Sequence, residues 1–362
     1  MLKLLDRYII QKYLGTFFFT VLIFSLIAIV IDFSDKVEKF IEEPTTAHEI
    51  IFKYYLPYIP YINGLLWPLY ALIAVIFFTS RLAYNSEIIA ILNAGVSFRR
   101  LLVPYLCAGG FVAGLQLLGN HLIIPLGNQS RLGFEHKYID KDSDKGRVRD
   151  IHLFLTPGSK AYIRFYNKRD TSALDLRLEQ FENHQLVSLI KASSAKWLGP
   201  PNRWRLSDYE WRTFDGREET FKMGRGAHID TTLNLYPSDF VRYHNQMEMM
   251  ATPELLRFIN DQQTRGAGNT KPYEIEAYRR TTDPVTVLIL TIIGVAVAAR
   301  KVRGGMGLHL AVGIGLGAIF IFLSRFSMTL ATNEAISPLL GVWIPNIIFS
   351  GVALLLALRA QQ

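Results

Sequence analysis

The chain has 362 residues, 50% of them hydrophobic, with a formal net charge of +8 and a single cysteine. One cysteine excludes an intrachain disulfide, so the fold has to be stable without one. The positive charge does not indicate a nucleic-acid partner, because the Lys and Arg residues are divided between short loops beside apolar segments and a mixed-charge central region. Membrane headgroups are the expected partners of this charge.

Six apolar segments long enough to cross a bilayer are predicted, in two groups of three. A run of about 20 apolar residues spans the hydrocarbon core of a membrane. The segments lie at roughly 13–31, 56–80, 101–125, 284–299, 308–330 and 340–358. The second contains Pro57, Pro60 and Pro68, which we expect to kink it. The first is too long for a cleavable signal peptide, and no small-residue cleavage site follows it.

Between the two groups the chain becomes polar, and its apolar residues alternate with polar ones. Three alternating runs are 151–155, 161–166 and 186–191. Turn signals separate such runs: Pro157-Gly158, Asn183-His184, Gly199-Pro-Pro-Asn202 and Asp215-Gly216. Short strands at regular spacing with this punctuation predict an all-β sandwich, jelly roll or barrel.

The predicted architecture is a six-span helical membrane protein with an inserted, extracytoplasmic all-β domain, whether sandwich, jelly roll or barrel. Its predicted parts are a first membrane half at 1–126, the β domain at 127–270 and a second membrane half at 271–362. After the strands, the sequence predicts a helix near 252–264, a linker over 262–270 and a charged helix over 272–281 that lies against the membrane.

The Lys and Arg residues of the short loops predict the orientation. With the N-terminus inside, the inner side carries Lys3, Arg7, Lys12, Arg81, Arg99, Arg100, Arg300, Lys301, Arg303 and Arg359. The outer short loops carry only Lys36, Lys39 and Lys53. The positive-inside rule therefore predicts that both termini are cytoplasmic and that the β domain is not.

The loop between the second and third segments predicts one short helix over 86–95. Ser86 is suited to the N-cap, Glu87 places negative charge at the positive end of the helix dipole, and Gly95 suits the C′ position. Three apolar residues fall on one face: Ile88, Ile91 and Leu92. Spacing alone fits two roles equally, an amphipathic helix on the lipid surface or a helix offered to a soluble motor protein.

No motif of a nucleotide-binding or hydrolytic enzyme is present. The chain lacks G-x-x-x-x-G-K-[ST], G-x-S-x-G and H-E-x-x-H, and its eight histidines have no metal-ligand spacing. Gly313-x-Gly315-x-Gly317 lies inside an apolar segment, where it predicts close helix packing and not a dinucleotide turn. We expect no active site, no metal and no directly bound cofactor.

Basic residues near the outer ends of the segments form a second candidate site. Charge inside a span is costly, so Arg325 is a functional candidate, with snorkelling to the interface as the alternative. Lys36, Lys39 and Arg131 lie beside the first and third segments. Together these residues would surround the mouth of a cavity with positive charge suited to lipid phosphate or carboxylate, or they are ordinary interfacial charges.

Residues 84–99, with Ser86-Glu87 followed by Ala94-Gly95 and Arg99, resemble the signature of the LptF/LptG permeases. These are the membrane subunits of the ABC exporter that extracts lipopolysaccharide from the Gram-negative inner membrane. The other matching motifs are Leu5-Asp6-Arg7-Tyr8-Ile9, Phe33-x-Asp35, Pro125-x-Gly127-Asn128, Ala192-x-x-Ala195-x-Trp197, Trp204-x-Leu206, Ile336-Ser-Pro338 and Trp343-Ile-Pro345-Asn346. One departure is Asp32, which stands where family members often carry a lysine.

The resemblance implies a half-transporter in that membrane. Two such subunits, a paralogue pair or two copies, would form a V-shaped cavity, and a dimeric cytoplasmic P-loop ATPase would grip one coupling helix from each. The implied coupling residues are Ser86, Glu87, Ile91, Ala94, Gly95 and Arg99, with Glu87 as the acid that meets the ATPase. Lipid would enter between the first span of one subunit and the fifth of the other, then pass through the periplasmic β-jellyroll to an accessory β-jellyroll protein.

A competing hypothesis is a non-transporting membrane scaffold or sensor whose β domain binds a ligand. Six spans with proline kinks and glycines are more than an anchor requires, which disfavours it. A proton-coupled carrier is disfavoured too, because such carriers place acidic or histidine groups in mid-membrane and the predicted spans have almost none.

Overall fold

The computed structural model describes residues 4–139, 149–168, 170–240, 245–266, 270–300 and 305–360. The chain divides into two compact units. The helical unit comprises Met1–Ile139, Met247–Leu255 and Lys271–Gln362, and the sheet unit comprises Asp140–Gln246 and Leu256–Thr270.

Within the described residues, six helices are long and apolar enough to cross a membrane. In chain order they are Leu4–Glu42, Ala47–Tyr84, Phe98–Ile139, Lys271–Ala298, Met306–Thr332 and Pro338–Arg359, named spans 1 to 6 below. Three spans precede the strands and three follow them, which confirms the predicted helical membrane protein with an inserted β domain.

Spans 1 and 3 extend well beyond their apolar segments. Span 1 continues through Asp32 to Glu42, so much of the stretch 32–53, predicted to be a loop, is helical. Hydropathy detects only the apolar part of a helix, whereas the polar turns here are held by pairs such as Lys36 Nζ to Asp32 Oδ1 at 2.9 Å. Span 3 continues past residue 126 through the helix Ile124–Phe134 and a π-helical turn that ends at Ile139.

The charged stretch at 272–281 is the first part of span 4 and not a separate helix on the membrane surface, so that prediction was wrong. One helix runs from Lys271 to Ala298 with Pro284 inside it, and Tyr273 and Arg280 are buried. Arg280 tolerates burial because its guanidinium is bonded, for example through Nε to Glu276 Oε1 at 3.0 Å. Glu276 lies one turn away on the same helix, but the guanidinium also donates to the carbonyl of Met247 at 3.0 Å, a partner that local sequence does not reveal.

Span 4 lies at the centre of the helical unit. It packs against spans 2, 3 and 6, and Val287, Ile293 and Val295 are completely buried. By contrast, only 17% of the apolar window of span 1 and 17% of that of span 5 is buried. Spans 1 and 5 therefore present the most apolar surface to lipid or to another subunit.

The glycines of span 5 confirm close packing at two of three positions. A Cβ on Gly313 would lie 2.0 Å from Ile76 Cδ1, and one on Gly317 would lie 2.6 Å from Leu69 Cδ1. Both contacts are with span 2. A Cβ on Gly315 would meet nothing within 4 Å, because that residue lies on the other side of the helix.

The sheet unit contains one six-stranded antiparallel sheet in which each strand pairs with the next along the chain. The strands are β1 Arg149–Thr156, β2 Ser159–Asn167, β3 Ser172–Glu182, β4 Gln185–Gly199, β5 Arg203–Asp215 and β6 Glu218–Thr232. The four predicted turn signals all lie between strands or begin at the last residue of one. Asn183, Asn202 and Gly216 adopt the left-handed backbone that tight turns require. Trp204 is completely buried in the core of this unit.

The helix predicted near 252–264 is also present, as Thr252–Thr264. The predicted linker at 262–270 therefore begins later than expected, and residues 267–269 of it lie outside the described part of the chain.

Candidate functional site

A short helix, Glu87–Asn93, connects span 2 to span 3 and is called the loop helix below. Ser86 occupies its N-cap position, as predicted, but makes no capping hydrogen bond through its side chain. A capping residue needs an extended backbone, whereas Ser86 is left-handed with φ 64°. At the other end Gly95 is left-handed, with φ 86°, and its N–H donates to the carbonyl of Leu92 at 3.0 Å, which confirms the predicted glycine C′ position.

One face of the loop helix is fixed to the spans. Ile88 is completely buried, and Ile91 and Leu92 pack partly against the same hydrophobic core. The opposite face is open, with Ile89, Ala90, Asn93 and Ala94 all exposed. The helix therefore offers a small surface of mixed character to a partner.

Glu87 lies at the start of the loop helix and is half-buried. Its carboxylate accepts hydrogen bonds from Tyr8 Oη at 3.4 Å and from Asn85 Nδ2 at 3.3 Å. Both bonds are long, so the carboxylate keeps acceptor capacity for a further donor.

The predicted coupling residues divide into two sets. Ala94, Gly95 and Arg99 are exposed and Ser86 and Glu87 are half-buried, whereas Ile91 is turned towards the core. Sequence reasoning did not select Ile89, Ala90 and Asn93, which form the middle of the open face. The signal was available, because residues that fall between buried positions at 3,4 spacing must face outward.

The first turn of span 1 also reaches this region. Arg100 Nη2 donates to Asp6 Oδ2 at 2.7 Å, and Asp6 is 2% exposed. Arg100 belongs to the first turn of span 3, whose N-cap Ser97 accepts a hydrogen bond from the Arg100 N–H through its side chain at 3.3 Å.

Charged side chains form a second cluster where the end of span 1 meets spans 2 and 3. Lys36 Nζ donates to Asp32 Oδ1 at 2.9 Å, to Glu135 Oε1 at 3.1 Å and to the hydroxyl of Tyr54. The Lys36 side chain is 20% exposed. Contact between Lys36 and a lipid phosphate would therefore require one of these pairs to open. Lys39, one turn further along the helix, is exposed.

Arg131 lies deeper in the same cluster and is 4% exposed. It donates to Asn128 Oδ1 at 3.0 Å and to Glu135 Oε2 at 3.2 Å, and its guanidinium carbon lies 3.9 Å from the ring centre of Tyr61. Asn128 and Glu135 lie within about one turn of Arg131 on the same helix, whereas Tyr61 belongs to span 2 and could not be identified from the sequence.

Glu248 faces Arg131 from outside the spans. Glu248 Oε2 lies 3.7 Å from Arg131 Nη2, and neither atom has a hydrogen-bond partner among the described residues. Burial, followed by the charge of Glu276, raises the pKa of Glu248 above its ordinary value.

Arg325 differs from Lys36 and Arg131. It lines two adjoining cavities of about 250 and 140 Å³, which Arg279 and Asp283 also line. Its side chain is exposed and makes no hydrogen bond or ion pair with any described residue. Arg325 and Lys39 are therefore the two predicted headgroup residues whose side chains are exposed. In the part of the chain that the structure describes, no group of three His, Cys, Asp or Glu side chains is placed to hold a metal ion.

A family model described as lipopolysaccharide export system permease LptF/LptG matches residues 7–359. The chain belongs to the LptF/LptG family. The LptF/LptG match includes all or nearly all of each span, the loop helix and the six strands, so the resemblance in the sequence is confirmed over nearly the whole chain. No curated protein matches the chain. As a permease of lipopolysaccharide export, a family member is a transport subunit, a role that needs no active site of its own.

Proposed function

We propose that this chain is one permease subunit of an exporter that extracts lipopolysaccharide from the Gram-negative inner membrane. The observation that carries the proposal is the LptF/LptG match over residues 7–359, which is continuous through the spans, the loop helix and the strands. In the proposal both termini and the loop helix are cytoplasmic, and the sheet unit is periplasmic.

The energy comes from a separate cytoplasmic P-loop ATPase, which acts as a dimer on two permease subunits. The absence of a P-loop motif in this chain supports the placement of ATP hydrolysis in a separate subunit. The chain itself binds no cofactor. The open face of the loop helix, with Glu87 at its start, is the proposed docking surface for the ATPase. The buried face of the loop helix supports this role, because it would transmit a displacement of the helix to the spans.

The second permease subunit is another LptF/LptG-type chain, either a paralogue or a second copy. Spans 1 and 5 are the least buried windows, which supports their use as the walls of a shared lipid cavity. Arg325 supplies accessible positive charge for the phosphates of the lipid. The lipid then passes along the sheet unit to an accessory periplasmic β-jellyroll protein.

Depletion of the chain in living cells tests the proposal. We expect newly made lipopolysaccharide to stop reaching the cell surface and to accumulate in the inner membrane, measured by pulse labelling and membrane fractionation. Normal delivery during depletion would contradict export and would favour a scaffold or sensor with a ligand-binding β domain.

A further inference from the structure

The N-terminal end of span 1 is attached to both elements through which a motor would act. Arg100 at the start of span 3 bonds Asp6 at 2.7 Å, and Tyr8 donates to Glu87 at the start of the loop helix. Ile9 and Ile88 are completely buried members of the same hydrophobic core. The first turns of span 1 therefore touch the loop helix and span 3 at once.

The position of Arg100 is unfavourable for its own helix. A cation in the first turn of a helix is opposed by the positive end of the dipole. Asp6 is 2% exposed, and a carboxylate at that depth is stable only when it is paired. The dipole of span 1 favours Asp6 in its first turn, so only the burial of Asp6 has to be compensated. The pair therefore compensates for the cost of that burial and for the position of Arg100, and it connects spans 1 and 3.

Span 1 has a second attachment to span 3 at its far end. Lys36 Nζ lies 3.1 Å from Glu135 Oε1, at the last turns of both spans. Span 5 presents an equally unburied window, yet its described side chains make no ion pair with another span. Of these two spans, span 1 is thus the one built to move together with span 3 and the loop helix.

We propose that Asp6 and Arg100 are positioning residues that make span 1 follow the loop helix when the partner ATPase moves it. This inference rests on the proposed function, since it assumes that the loop helix receives the movement. The consequence is that work done at the loop helix reaches a wall of the lipid cavity partly through an ion pair whose carboxylate is buried and whose guanidinium is partly exposed.

The test uses the complete complex of this chain with its partner permease and ATPase, reconstituted in proteoliposomes that contain lipopolysaccharide. The quantity measured is lipopolysaccharide released to a periplasmic acceptor per ATP hydrolysed. In Asp6→Asn and in Arg100→Gln we expect this ratio to fall by roughly tenfold, as the loss of a charged hydrogen bond allows. Glu49→Gln is the control, because it removes the exposed Glu49–Lys53 pair and leaves the loop helix untouched.

A cross-linking experiment separates loss of coupling from a folding defect. In a Cys107→Ala background, cysteines replace Asp6 and Arg100, and the ratio is measured before and after treatment with a short bifunctional maleimide. We expect a low ratio before cross-linking and a ratio close to that of the Cys107→Ala parent afterwards, because the covalent link replaces the ion pair.

The outcomes distinguish this inference from the proposed function. If the unmodified complex releases no lipopolysaccharide with ATP, the proposed function fails. If it does, and both single variants keep the unmodified ratio, the positioning role is wrong while the function stands. Loss of release on cross-linking would also overturn the inference, because the pair would then have to open during the cycle.

Discussion

Glu87 has two weak internal hydrogen bonds and lies at the edge of an exposed surface, so it is the side chain at which charge reversal is most informative. Glu87→Lys should weaken the association of the ATPase by about 1.5–3 kcal/mol, because a hydrogen-bonded charge is replaced by its opposite. The measurement is the concentration of ATPase needed for half-maximal binding to the purified permease.

Two variants complete the Glu87 experiment. Tyr8→Phe removes the internal partner without changing charge and should have little effect on ATPase binding. Glu38→Lys reverses an exposed carboxylate of span 1 away from the loop helix and serves as the charge control. Normal ATPase binding by Glu87→Lys would exclude Glu87 from the docking surface.

Glu248 gives a prediction about pH. Because its pKa is raised in the folded protein, the folded state binds more protons than the unfolded state above the ordinary glutamate value of 4.5. The contribution of Glu248 to stability therefore decreases as pH rises from about 4.5 through the raised pKa. Glu248→Gln removes this contribution. As pH rises through this range, the unfolding temperature of Glu248→Gln should therefore rise relative to that of the unmodified protein.

Thermal unfolding of the two proteins in detergent, followed across that pH range, measures the effect. Glu254→Gln, an exposed carboxylate in the next helix, provides the control. If the unfolding temperatures of the unmodified protein and of Glu248→Gln change with pH in parallel, the Glu248 carboxyl does not cause the pH dependence of stability.

At the scale of elements, the contact between spans 5 and 6 depends on one glycine. A Cβ on Gly341 would lie 2.5 Å from Ala331 Cβ and 3.2 Å from the carbonyl oxygen of Ser327, and neither atom can rotate away. Gly341→Ala should therefore separate the two spans and cost about 1–3 kcal/mol by overpacking. Gly351→Ala in the same span should be neutral, because a Cβ on Gly351 would meet nothing within 4 Å.

The unfolding temperatures of the two glycine variants, measured in detergent and compared with that of the unmodified protein, test this prediction. Equal values for Gly341→Ala and Gly351→Ala would mean that span 6 can shift without loss of packing.

In the sheet unit the corresponding element is the core around β5. Trp204 is completely buried, donates from Nε1 to the carbonyl of Leu235 at 2.9 Å and contacts Phe240 edge to face. Trp204→Ala should destabilise this unit by about 3–5 kcal/mol. Trp211, which is half-buried, is the matched control, and its alanine variant should cost clearly less.

Limited proteolysis of the full-length protein reports on this unit. Cleavage within residues 149–240 should accelerate in Trp204→Ala and much less in Trp211→Ala. Equal cleavage rates in these two variants would contradict the central role of Trp204.

The sequence predicts an element when the interactions that form it involve residues close together along the chain. Apolar length is enough to locate spans, and turn dipeptides such as Pro157-Gly158 are enough to locate the ends of strands. The helical extension beyond Asp32 and the burial of Arg280 escaped prediction, because Lys36 also bonds Glu135 and Arg280 also bonds the carbonyl of Met247, both remote along the chain. The left-handed backbone of Ser86 is set by the turn that closes span 2, so its missing capping bond could not be predicted either.

The same distinction between local and long-range causes applies to the candidate sites. The loop helix could be located from spacing and resemblance, since its cause is a local pattern. The environment of Lys36 could not, because its partner Glu135 lies 99 residues away along the chain. For Arg131 the sequence offers Glu135 one helical turn away, but not the remote partners Tyr61 and Glu248. A basic residue beside a span looks the same in sequence whether it is paired or free.

At the scale of the whole molecule, two poorly buried spans predict assembly. Isolated subunits would expose the apolar faces of spans 1 and 5, which supports pairing with a second LptF/LptG-type subunit. Native mass spectrometry of the chain purified with its co-expressed neighbours should show two permease subunits with two ATPase subunits. A complex with only one permease subunit would contradict the shared cavity.

The central place of span 4 has a consequence for how the protein is made. Residues 140–270 are synthesised after span 3 and before span 4, so spans 1 to 3 leave the ribosome without the helix that packs between them and span 6. During that interval the faces of spans 2 and 3 that will cover Val287 and Ile293 have lipid as their neighbour. Biogenesis must therefore keep three spans without span 4 in the bilayer while residues 140–270 are translated. We expect a nascent chain stopped before residue 271, which lacks the centre of this core, to be degraded faster than the full-length chain.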